Sequence, residues 1–84
     1  FFYGEDDSES ERQGYVLDMI VSRSNSTVDV FSINYDLEDD IAIETMKMFY
    51  DVTDTPTMII NDDIKREGYV SYEELKELID AEFV

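Results

Sequence analysis

The stretch Val52-Thr53-Asp54-Thr55-Pro56-Thr57-Met58-Ile59-Ile60-Asn61 holds the only proline of the chain, directly before its best strand candidate. Pro56 has no N–H to give to a sheet ladder, so it belongs at the first position of a strand or on an edge. Its ring also pushes Thr55 out of helical geometry. A helix must therefore stop before Thr55, and a strand begin after Pro56. The cis form of an X-Pro bond costs only about 0.5 to 1 kcal/mol, which makes Thr55-Pro56 the one place where a cis peptide is accessible.

Downstream, Thr57 to Asn61 reads as a strand, Asn61-Asp62-Asp63 as a turn, and Ile64 to Val70 as the returning arm of an antiparallel hairpin. Gly68 inside that arm predicts a bulge or a close backbone contact. Ser71 and Glu74 stand at capping-box spacing, and Leu75, Leu78, Ile79 and Phe83 line a last helix running almost to the end.

Upstream, Asp36 to Asp40 places four acids at a helix start, and Ile41, Thr45, Met48, Phe49 and Val52 form its predicted buried stripe, ending near Asp51. Val28 to Tyr35 alternates with apolar residues on nearly both sides, which predicts a central strand. Ser8 and Glu11 form another capping box, opening a helix that buries Val16, Leu17, Ile20 and Val21 and ends at Ser24-Asn25-Ser26. Gly14 within it costs roughly 1 kcal/mol against alanine, and close approach to another element is the expected compensation. Phe1-Phe2-Tyr3-Gly4 is a short aromatic strand.

The predicted order is β-α-β-α-β-β-α, an α/β fold with a four-stranded mixed sheet and helices on both faces. The first three strands are expected to run parallel, with the hairpin adding an antiparallel edge. Phe1, Phe2, Phe31, Phe49 and Phe83 are expected in the core, Met19, Met46, Met48 and Met58 in gaps around it, and Tyr3, Tyr15 and Tyr50 half-buried.

Eighty-four residues make a single domain, 1–84, in which every apolar position counts. The formal net charge is -16, from 22 acids against six Lys and Arg, and this excludes nucleic acid and anionic membrane surfaces as partners. No run approaches the ~20 apolar residues of a membrane span, so no membrane insertion is expected. Phe1 in place of methionine is consistent with excision of a soluble domain from a larger or membrane-anchored precursor. The chain has no cysteine and no histidine, which removes thiolate chemistry, catalytic triads and most transition-metal sites, and no cofactor is expected.

The element order, the proline heading the third strand, and the closing Gly68 and Ser71-Tyr72-Glu73-Glu74-Leu75-Lys76-Glu77-Leu78 together resemble the minimal thioredoxin fold over nearly the whole chain. The resemblance places Pro56 at the family's cis-proline and Asp7-Ser8-Glu9-Ser10 where the family has Cys-x-x-Cys. Both sulfurs are absent, so the chain departs from the family at its redox centre and no thiol-disulfide chemistry is expected of it. What the resemblance still implies is a groove between the first-helix loop and the proline loop. There Thr55 would offer its amide and carbonyl to an extended peptide or protein segment, and Glu5, Asp6, Asp7, Glu9 and Asp54 would favour a basic one.

The alternative is a cysteine-free variant of a thiol-disulfide oxidoreductase. Two blander readings stand beside both: Asp6 and Asp7 as ordinary acids before a helix, and Pro56 as a rigid strand start without a ligand. A further rival is calcium binding at 63–74, where Asp63, Gly68, Val70 and Glu74 match the first, sixth, eighth and twelfth places of an EF-hand loop. Lys65 stands at the third place, where an oxygen donor is wanted, Arg66 adds further positive charge, and Thr55-Pro56-Thr57 interrupts the helix that should enter the loop.

Overall fold

A computed structural model describes residues 1–25, 27–79 and 83. Seven elements follow one another: β1 Phe2–Tyr3, α1 Ser8–Arg23, β2 Ile33–Asn34, α2 Ile41–Phe49, β3 Thr57–Ile60, β4 Ile64–Glu67 and α3 Tyr72–Leu78. The four strands form one mixed sheet in the order β2-β1-β3-β4, giving a mixed α/β architecture with three helices. None of the helices is long and apolar enough to cross a membrane, among the described residues.

The hairpin forms as its turn residues dictate. Asn61 and Asp62 both take positive φ (53° and 59°), Asp63 N–H donates to the Ile60 carbonyl, and Ile60 to Thr57 pair with Ile64 to Glu67. Gly68 continues the ladder by donating to the Pro56 carbonyl at 2.8 Å. Its φ of +82° is what calls for glycine, since a Cβ there would meet open space rather than the close contact expected.

Two expectations about the sheet are corrected. Val28 to Tyr35 is not a central strand: only Ile33 and Asn34 pair, parallel to Phe2 and Tyr3, and β2 lies on the edge. The ladder can be no longer than its two-residue partner β1; the Phe1 carbonyl just before β1 accepts from Ile33 and the Tyr3 carbonyl within it accepts from Tyr35. Nor do the first three strands all run parallel, because β3 pairs antiparallel with β1 at Phe2 and Thr57. Thr55, just before β3, is bonded to Asp7, just beyond β1, so β3 enters the sheet at the end where β1 leaves it.

Helix boundaries follow caps, not all of them those expected. Asp7 rather than Ser8 caps α1, and Ser24 closes it, with its own N–H on the Ile20 carbonyl. Asn25 follows at positive φ, and Ser26 lies outside the described residues. Of the acids from Asp36 to Asp40, only Asp40 caps α2, accepting from Ile43 N at 3.2 Å; the others precede the helix. At its far end Val52 N–H reaches back to the Lys47 carbonyl and Asp51 takes positive φ, a Schellman closure. Ser71 caps α3 as expected, but α3 stops at Leu78, and of the residues beyond Ile79 only Phe83 is described.

The core joins Val16, Leu17 and Ile20 of α1 to Met58 of β3, Val70, and Leu75 of α3, with Phe1 and Ile60 packed against it. Alternation along the strands turns Phe2 and Thr57 to the opposite face, where both are fully buried. Gln13, also fully buried, spans from α1 to the segment before α3: its Nε2 donates to the Val70 carbonyl at 3.1 Å and its Oε1 accepts from Val70 N at 2.7 Å.

Burial departs from the sequence reading at several apolar positions. The predicted core stripe of α2 faces outward, with Ile41 84%, Met48 82% and Phe49 77% exposed, and only Val52 of that stripe is buried. Phe31, Met19 and Tyr15 are likewise exposed. No Cβ contact would form at Gly14, so the close approach predicted there is absent.

Candidate functional site

The loop after β1 and the loop before β3 meet through hydroxyls and one carboxylate. Asp7 ends its loop in extended geometry as the N-cap of α1, with Oδ1 accepting from Glu9 N at 3.2 Å. Its Oδ2 accepts from Ser10 Oγ at 2.6 Å and from Thr55 Oγ1 at 3.0 Å. Ser10 Oγ in turn accepts from Gly4 N at 3.0 Å. The result is a continuous chain of bonds from the end of β1, through the first turn of α1, to the residue before Pro56.

The i, i+3 spacing brings Asp7 and Ser10 to one side of the helix start, while Ser8 and Glu9 are exposed. Ser10 itself is buried. The Ser10 hydroxyl is the main reason the Asp7 carboxyl lies below the ordinary carboxylate range. The Thr55 hydroxyl and the amides of Glu9 and Ser10 pull the same way, against a partial loss of solvent.

Gly4 is the residue this packing cannot do without. A Cβ there would lie 2.6 Å from Thr55 Oγ1 and 3.2 Å from Asp7 Cβ, so a side chain would have to displace the Thr55 hydroxyl from its place beside Asp7. The close glycine contact of this fold is therefore at Gly4. The aromatic run before it masks its importance in the sequence.

The Thr55-Pro56 peptide is cis, and Pro56 is buried. Thr57 Oγ1 donates to the Asp54 carbonyl at 2.8 Å, bracing the turn. The Thr55 amide donates to Asp54 Oδ1 at 2.8 Å, so the side chain of its own neighbour holds the group that was to meet a peptide. The sequence carries only a general hint of this, since Asp side chains compete for nearby backbone N–H groups in turns.

Of the acids expected to meet a basic segment, Glu5 is bound to the β2 side. Its N–H donates to Asp36 Oδ2 and its Oε1 accepts from Asn34 Nδ2, both at 2.7 Å. Asp6, Glu9 and Asp54 are exposed. Among the described residues, no group of three or more acids is gathered closely enough to hold a metal ion. The 63–74 frame is not folded as a calcium loop, because Ile64 to Glu67 are a ladder strand and Ser71 caps a helix.

No family model, no curated protein and no solved structure matches the chain.

Proposed function

We propose that this chain is a thioredoxin-like module without redox thiols that holds an extended peptide or protein segment at the Thr55 loop. The observation that carries the reading is the bonded set Asp7, Ser10 and Thr55. It joins the helix start to the proline loop, and the sequence resemblance assigns Asp7 and Ser10 to the positions of the family's two cysteines. A four-stranded mixed sheet in the order β2-β1-β3-β4, with a parallel β1–β2 pair and an antiparallel hairpin at the other edge, supports the reading at the level of a mixed α/β fold. An oxygen pair joined by a 2.6 Å hydrogen bond has no thiol chemistry to offer, and strand addition at Thr55 requires the incoming segment to displace Asp54 from the Thr55 amide.

The second reading, a cysteine-free variant of an oxidoreductase, draws on the same two positions. Asp7→Cys combined with Ser10→Cys tests both in one assay, reduction of a protein disulfide. A binding module stays silent, and turnover would favour the oxidoreductase. For the binding reading itself, titration with an extended Lys-containing peptide should shift the amide resonances of Thr55 and Gly4 first. A titration that leaves those two amides still sinks it.

A further inference from the structure

The outward face of α2 carries an apolar strip that the rest of the fold holds in place. Ile41, Met48 and Phe49 are each more than three-quarters exposed, at helical spacings of seven and one. The helix cannot simply roll to bury them. Tyr50 Oη donates to Asp62 Oδ1 in the hairpin turn, Lys65 Nζ donates to the Asp51 carbonyl, and Lys47 Nζ sits 4.0 Å from the centre of the Tyr35 ring. Phe49 itself is oriented by an edge-on contact with the Tyr50 ring, centroids 4.8 Å apart.

Acids border the strip. Glu38 and Asp39 precede it, Glu44 lies between Ile41 and Met48, and Asp51 follows Phe49; all four are exposed. Lys47 is the only basic residue between Arg23 and Lys65, and it is engaged by Tyr35 and by Glu44 at 3.1 Å. An apolar strip with a negative border repels an anionic bilayer and also a second copy of a chain carrying -16. It complements a cationic amphipathic segment, with apolar side chains on the strip and Lys or Arg at the border.

We propose that this face of α2 docks a basic amphipathic helix of a partner protein. The surface is formed by residues other than those of the Thr55 loop and does not depend on it.

The test is titration of the full chain with a synthetic amphipathic Leu/Lys helical peptide, followed through backbone amide shifts. The shifts should centre on residues 41–51, and affinity should fall as salt rises from about 20 to about 300 mM. Ile41→Gln combined with Met48→Gln should weaken binding on the order of tenfold while leaving the melting temperature unchanged, because these are the two most exposed side chains of the strip. A scrambled peptide of the same composition should bind markedly more weakly. Equal binding by the double variant or by the scrambled peptide overturns the proposal, since charge alone would then suffice. So does a fall in melting temperature in the double variant, which would mean that the chain covers this face itself. Sedimentation showing a dimer that the double variant dissolves would overturn it too, making a second copy the occupant.

Discussion

Thr55 Oγ1 and Asp7 Oδ2, forty-eight residues apart in sequence, lie 3.0 Å apart across the meeting of two loops. A helix cap is normally a local device, satisfying the amides of its own first turn. Here the same carboxylate also draws in the residue before the proline, so the start of α1 and the start of β3 are set by one side chain. Loss of that side chain should be felt on both sides of the junction.

The carboxylate gives the junction a defined pH dependence. Folding lowers the Asp7 pKa, chiefly through the Ser10 hydroxyl, so the folded state favours the charged form. The stabilisation is fully present above the ordinary carboxylate value of 3.8 and is lost as pH falls through the lower folded value. We predict that the melting-temperature gap between wild type and Asp7→Asn is widest near neutrality and narrows below about pH 4. A gap that stays constant down to about pH 2.5 would show that the bonds to Asp7 do not depend on its charge.

Gly4→Ala is predicted to destabilise by about 1 to 3 kcal/mol, since its methyl group must push the Thr55 hydroxyl away. Much of that cost should vanish when Thr55→Ala removes the atom in its way. The measurement is a double-mutant cycle by chemical denaturation, and strictly additive effects would refute the contact.

Gln13 supplies both bonding partners of the Val70 backbone inside the core. Gln13→Leu keeps most of the volume but strands a buried N–H and a buried carbonyl, at about 1 to 3 kcal/mol each. We expect a loss of about 2 to 5 kcal/mol in denaturant melts and faster exchange of the Val70 amide. Near-wild-type stability would mean that water or a shifted chain replaces the side chain.

Asp54 stands between the Thr55 amide and any incoming strand. Under the proposed function, Asp54→Ala should raise affinity for a neutral extended peptide several-fold and speed exchange of the Thr55 amide. Weaker binding of that neutral peptide would instead make Asp54 part of the recognition surface.

Sixteen excess negative charges on so small a body should make folding sensitive to ionic strength. Melting temperature is predicted to rise as salt is added from low to about 0.3 M. A flat profile would indicate that Lys47, Lys65 and their neighbours already offset the repulsion locally.

The elements easiest to read were those governed by short-range chemistry. Pro56 forces a strand start, Asn61-Asp62 accept the positive φ of a tight turn, and Ser71 offers a hydroxyl to a helix amide, whatever surrounds them. The hairpin and the order of all seven elements follow from such signals. The cap of α1 is Asp7, one residue before the Ser8 that the capping-box spacing indicates, because both are good caps; the Thr55 and Ser10 hydroxyls around Asp7 distinguish them.

What lay beyond local chemistry was which side of an element meets the sheet. Helix α2 is apolar on two faces, with Ile43 and Met46 half-buried on one side and Ile41, Met48 and Phe49 on the other. Periodicity assigns residues to faces but carries no information on which face turns inward. That choice was made by partners distant in sequence, Tyr35 for Lys47, Asp62 for Tyr50 and Lys65 for the Asp51 carbonyl. In the same way, the apolar run from Val28 could not reveal that its neighbour β1 offers only two residues to pair with, because a hydrogen-bond ladder is as long as its shorter strand.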